Sequence, residues 1–257
     1  MRRTKTLLYF EKLPVEIHRD FDTLGQAAAT RAARILQSAL KSRGCANLIL
    51  ATGNSMLSFL NSLRLVKGVE WSKINVFHMD EYVGMKADRP ASFRRFLHEK
   101  IIDYVHPADF YEIMGDAPDL EQECKRYSDL LHRYPPDLCC LGFGENGHLA
   151  FNDPPFADFN DPLWVKVVRL DERSRQQQVG EGHFPGLADV PIHAITLTIP
   201  ALISARQILG IVPEKRKANA VKAALIEPIS KDCPGSILRT LDFARLYLDR
   251  ESASLLV

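Results

Sequence analysis

The feature that most constrains this 257-residue chain is the alternation of short, continuously apolar runs with stretches of helical periodicity. Residues 46–52 (ANLILAT), 74–80 (INVFHMD), 110–114 (FYEIM), 137–143 (DLCCLGF), 206–213 (RQILGIVP) and 244–249 (ARLYLD) read as strands. Between them, 55–66, 92–105, 119–134 and 214–226 read as helices, and a short helix is expected at the C-terminus. In 92–105, for example, Phe93, Phe96, Leu97, Ile101 and Val105 fall on one side. Strands that are apolar throughout, separated by helices, are buried on both faces. The expected fold is therefore α/β, with a single doubly wound, mostly parallel sheet and helices on both faces, forming one domain over 1–257. Residues 154–195 break the pattern with Pro154, Pro155, Pro162, Pro185 and Pro191, and read as an irregular excursion or lid.

Ligands of open α/β sheets bind at the carboxyl ends of the strands. That rule selects the loops after Ala51, Met79 and Leu141. The first, Thr52-Gly53-Asn54-Ser55, turns from a strand into a helix. Its backbone N–H groups with the Thr52 and Ser55 hydroxyls could cradle a phosphate or carboxylate. Alternatively, Asn54 or Ser55 simply caps the helix. The second loop carries Asp80 and Glu81 in "HMDEYVG". Adjacent strand residues alternate in direction, so one acid can face a pocket as a general base while the other faces away; a solvated turn is the other reading. The third, "LGFGENGHLAFNDPPF", places His148 among glycines after a buried strand. His148 is the only residue of the loop that titrates near neutral pH, and Asp153 is placed to orient it; a structural histidine is the alternative. Lys217 in "PEKRKAN" and Arg173 and Arg175 in "DERSRQQQ" could meet an anion or be solvated surface charges.

Composition narrows the partners. The net charge of +1 makes no global case for nucleic acid or an anionic membrane. The five cysteines form no C-x-x-C or Cys/His metal spacing, and Cys139 and Cys140 read as small hydrophobes in a buried strand, pointing to a reducing, cytoplasmic setting. The opening "MRRTKTLLYF" has basic residues, but Glu11 and Lys12 end its apolar stretch too early for a leader, and no run approaches a membrane span.

Together, "ATGNS", "FHMDEYVGM", "RPASFRRFLHEKI", "LGFGENGHLAFNDP", "HAITLTIPALISAR" and "EKRKANAVKAALIEPIS" resemble the glucosamine-6-phosphate deaminase/isomerase family, which includes the related 6-phosphogluconolactonases. The combination of MDEY with the GH-x-AFN-D-P loop favours the deaminase branch. The resemblance implies ring opening of glucosamine 6-phosphate, isomerisation to the ketose and release of ammonia, with no metal or organic cofactor. It implies Asp80 as the proton-transfer base at C1/C2, His148 as the ring-opening acid/base and Asp153 as its supporting carboxylate. Thr52, Gly53, Asn54, Ser55 and Lys217 would hold the phosphate. Asn146 stands where some members have an aspartate in the histidine's network. The family's phosphate-binding arginine aligns with Gln178, which leaves Arg173 or Arg175 as replacements. Trp164 stands where an allosteric arginine occurs in some hexameric members, so no such regulation is expected. A homo-oligomer is compatible with the resemblance. A 6-phosphogluconolactonase-type hydrolase and a non-catalytic sugar-phosphate-binding protein are the alternatives.

Overall fold

The structure, a computed structural model, describes residues 5–154 and 156–256. The chain opens on a hairpin, β1 (Lys5–Phe10) and β2 (Leu13–His18), followed by α1 (Phe21–Arg43), β3 (Ala46–Leu50) and α2 (Leu57–Leu63). Next come β4 (Ile74–His78), β5 (Asp80–Tyr82), α3 (Phe93–Leu97), α4 (Asp103–Val105), β6 (Asp109–Tyr111), α5 (Leu120–Arg133) and β7 (Leu138–Leu141). The second half holds β8 (Val165–Arg169), α6 (Glu172–Gly180), β9 (His193–Leu197), α7 (Ile199–Ile203), β10 (Gln207–Val212), α8 (Ala218–Ile226) and β11 (Ala244–Asp249). A π-helical turn at His98–Ile102 joins α3 to α4.

Eight strands form one sheet in the order β1-β2-β11-β10-β7-β3-β4-β6. Every pairing in it is parallel except the β1–β2 hairpin. The expected mostly parallel α/β sheet is therefore present, and its central strands β3 and β7 are buried along their whole length. The order reverses between β3 and β7: from β3 the chain runs outward through β4 and β6, then crosses back to β7. The loops leaving β3 and β7 part there and open a crevice at their carboxyl ends.

Three features differ from the sequence reading. The hairpin β1–β2 and the long α1 were absent from it. The turn, Glu11-Lys12, has none of the usual hairpin chemistry, and Glu11 takes a left-handed φ of 51°. Helix α1 is set by local signals: Asp20 and Thr23 form a reciprocal cap, Gly44 closes the other end, and its buried stripe is mostly alanine. Secondly, β5, β9 and β8 form a separate three-stranded antiparallel sheet. The excursion 154–195 is accordingly more ordered than expected, since it contains β8, α6 and the start of β9. Thirdly, residues 250–255 form turns rather than a terminal helix; Ser252 N–H donates to Asp249 Oδ1 at 2.7 Å.

Candidate active site

Strand β4 ends at His78, and after Met79 the chain switches sheets. Met79 O accepts from Leu197 N–H at 2.8 Å, and Asp80 starts the small sheet opposite Thr196. Asp80 thus sits at the hinge between the two sheets, beside the crevice. Its neighbour points the other way. Glu81 is fully buried and accepts from Ser92 Oγ at 2.8 Å, Arg94 N–H at 3.1 Å and Phe93 N–H at 3.3 Å. Ser92 caps α3, so Glu81 holds the first turn of that helix against β5. The strand alternation expected from sequence resolves into one pocket acid, Asp80, and one structural acid.

A pocket fills the crevice. It is lined by the Thr52–Ser55 turn, by Asp80 and Phe93, and by Gly144, His148, Gln177, Glu181 and Lys217. Burial and the neighbouring Glu81 push the Asp80 carboxyl up to about 8. Lys217 is 2% exposed. Burial lowers its ammonium below the usual lysine range, against the opposing pull of Glu181. In the first loop Gly53 adopts φ +93°, a left-handed value that favours glycine. No side chain caps the helical turn that follows, so the polar groups of Asn54 and Ser55 are not consumed as caps. This disposes of the capping alternative.

The loop after β7 folds back on itself. Gly144 N–H donates to His148 O, and Gly147 N–H to Gly144 O, both at 3.0 Å. The His148 ring lies directly over Gly144; a Cβ there would come within 2.1 Å of the imidazole. His148 Nδ1 lies 2.7 Å from Asp153 Oδ1. The same carboxylate oxygen accepts from Ser174 Oγ at 2.6 Å and Asn146 Nδ2 at 3.0 Å, while Asn146 Oδ1 accepts the His148 N–H at 3.0 Å. Burial raises the Asp153 carboxyl, but the charge and hydrogen bond of His148 outweigh it and hold the group below the usual range. An aspartate anchored by Ser174 and Asn146 fixes the imidazole orientation and leaves Nε2 for the pocket.

The structure brings Thr52, Gly53, Asn54, Ser55, Asp80, His148 and Lys217 to one pocket. Asp153 and Asn146 stand behind His148 and support it. Arg173 and Arg175 are placed elsewhere. Arg175 donates to the Leu187 and Val190 carbonyls at 2.6 and 2.9 Å, tying α6 to the following segment. Arg173 is exposed and lines a neighbouring depression with Asn146 and Arg216. Gln177, rather than Gln178, reaches the pocket. Trp164 stacks on His132 with ring centroids 4.0 Å apart, away from the pocket. Sequence reasoning missed Ser174, Gln177 and Glu181. They recur at i, i+3 and i+7, which places them on one face of α6, and that polar row was the available signal.

A model of the family described as glucosamine-6-phosphate isomerases/6-phosphogluconolactonase matches residues 19–245. A glucosamine-6-phosphate deaminase of Bacillus cereus (strain B4264) is 35% identical over 222 residues, covering 86% of this chain and 82% of that one. One of Bacillus anthracis (strain A0248) matches at the same identity and coverage. A solved structure of a monomeric glucosamine-6-phosphate deaminase superposes with a TM-score of 0.85 at 32% identity, over 94% of this chain and 99% of that chain. A 6-phosphogluconolactonase structure from Shewanella baltica OS155 reaches 0.75 at 19% identity over 94% and 99%, and shares the fold.

Proposed function

We propose an activity from one premise: this chain belongs to the glucosamine-6-phosphate isomerase/6-phosphogluconolactonase family. It is an enzyme that converts glucosamine 6-phosphate and water to fructose 6-phosphate and ammonia. The observation that carries this reading is one pocket lined by Asp80, by a His148 braced on Asp153, and by both the Thr52–Ser55 turn and Lys217.

The phosphate lies against the Thr52–Ser55 turn and Lys217, which hold the sugar in register for the chemistry. His148 shuttles a proton to and from the ring oxygen through Nε2, opening the hemiacetal. Asp80 takes the proton from C2 and returns one to C1. A carboxyl raised to about 8 is a stronger base once ionised than an ordinary aspartate, which suits abstraction from carbon. The resulting imine at C2 adds water and expels ammonia, leaving the ketose. Arg173 and Arg175 play no direct part, because Lys217 and the turn supply the phosphate contacts.

The lactonase alternative is less supported, since the solved deaminase is the more similar of the two in both sequence and fold. A cytoplasmic setting belongs to the same proposal: the five cysteines are free thiols, four of them buried. Among the described residues, no helix is long and apolar enough to cross a membrane. The deciding assay measures ammonia release from glucosamine 6-phosphate and galactosamine 6-phosphate beside hydrolysis of 6-phosphogluconolactone. Lactone hydrolysis without ammonia release would replace this reading with the lactonase one. Binding without turnover of any of these would replace it with the sugar-phosphate-binding one.

A further inference from the structure

Glu181 lines the pocket, yet the proposed chemistry gives its charge no task. It follows α6 and ends the polar row begun by Ser174 and Gln177. Its side chain is 6% exposed. Glu181 Oε1 accepts from Gln177 Nε2 and from Arg216, each at 2.7 Å, and Oε2 lies 3.4 Å from His183 Nε2. Burial alone would raise this carboxyl, but the bond with His183 and the Arg216 charge bring it down to about 2. Glu181 is therefore an anion inside the anion pocket. Arg216, the residue before Lys217, also pairs with Glu214 at 2.5 Å and lies 3.8 Å from Glu145. Lys217 has no such partner: among the described residues no hydrogen bond or ion pair reaches its Nζ. The nearby carboxylate of Glu181 offsets part of the cost of burying that ammonium.

We propose that Glu181 is a specificity-determining residue of the phosphate subsite, a resident carboxylate that an incoming phosphate must displace or tolerate beside Lys217. The inference rests on the reading of this pocket as a sugar-phosphate site. A carboxylate tethered in the same chain competes at a high effective concentration and repels a second anion. A small free anion, with only Lys217 and the Thr52–Ser55 turn to gain, is held off. A sugar phosphate brings further contacts from its sugar and overcomes the same repulsion. Arg216, shared among Glu145, Glu181 and Glu214, keeps Glu181 turned and partly neutralised, so that the repulsion discriminates without closing the pocket.

The test is calorimetric titration of inorganic phosphate into the full chain, the Glu181→Gln variant and the Arg216→Gln variant, with phosphate inhibition of ammonia release measured alongside. Glu181→Gln should bind phosphate about tenfold more tightly and be inhibited at correspondingly lower concentration. Arg216→Gln should bind it several-fold more weakly, because the Glu181 charge is then unshared. Unchanged or weaker phosphate binding by Glu181→Gln overturns the proposal and leaves Glu181 as a tie between α6 and Arg216. If Glu181→Gln fails to fold, Arg216→Gln decides, and phosphate affinity equal to that of the parent overturns it. The expected phosphate shifts in a chain that releases no ammonia would uphold Glu181 and overturn the assigned reaction instead. Failure of parent and variants alike to bind phosphate would overturn both.

Discussion

His148 Nδ1 and Asp153 Oδ1 lie 2.7 Å apart, and Ser174 and Asn146 donate to that same oxygen. The carboxylate is thus held by two other partners while it holds the imidazole. Replacing Asp153 by Asn keeps the shape but removes the charge and presents a donor in place of an acceptor. We expect kcat for ammonia release to fall about 10²-fold or more with little change in KM, because the change falls on proton transfer and not on phosphate binding. Steady-state kinetics check this, and a variant with parental kcat would remove Asp153 from the mechanism.

Asp80 carries the largest conflict between function and stability. Its folded pKa, about 8, lies above the ordinary 3.8. Burial of the neutral acid is tolerated at low pH, and the folded state loses stability as pH rises from about 4 to about 8 and the group ionises. Asp80→Asn removes that loss. We expect turnover to be abolished and the melting temperature near pH 9 to rise by roughly 4–8 °C, as about 2 kcal/mol would produce. Near pH 4 the two proteins should melt alike. Parental kcat/KM should climb as pH passes through about 8. A variant less stable than its parent at pH 9 would contradict the burial argument.

Gly144 exists to let the imidazole lie flat on the backbone. A Cβ at Gly144 would stand 2.1 Å from the His148 ring, so Gly144→Ala must displace it. A shift of about 1 Å in a reacting group costs on the order of 10²-fold in rate. The expected result is a folded protein with a cooperative thermal transition and that loss in kcat. Unimpaired turnover would show that His148 does not act from its observed position.

Glu81 is the control for the acid pair. Its buried carboxylate satisfies Ser92 and the N–H groups of Phe93 and Arg94, with the Arg94 guanidinium 3.5 Å away. Glu81→Gln leaves Arg94 without that charge and misplaces a donor against donors. We expect about 2–4 kcal/mol of lost stability, read as a lower urea midpoint at unchanged slope. A loss under about 0.5 kcal/mol would mean that the helix start needs no such anchor.

Much of the site was legible along the chain. The turn Thr52–Ser55, Asp80 and His148 all follow strands whose apolar runs are plain, and those loops meet wherever such strands are parallel. Lys217 follows the same rule after β10. The anion-facing side of the pocket was not legible in the same way. Arg173 and Arg175 have the charge that a phosphate wants, yet Arg175 is spent on the carbonyls of Leu187 and Val190. Gln177 and Glu181, with less obvious chemistry, face the pocket because they share the Ser174 face of α6.

The sequence by itself determined the alternation of the main-sheet strands β3, β4, β6, β7, β10 and β11 with the helices between them, and with it the loops at the carboxyl ends, because periodicity and glycine placement are local properties. It also specified that Asp80 and Glu81 point apart, since that follows from strand geometry alone. Only the tertiary structure decided which acid enters the pocket. That depends on the chain leaving the main sheet after Met79 to pair with β9, more than a hundred residues later. It likewise decided that α6 folds over His148, so that Ser174 meets Asp153 across 21 residues of chain. Contacts of that separation are set by which strands pair and by how their side chains pack, and neither is written in any short segment.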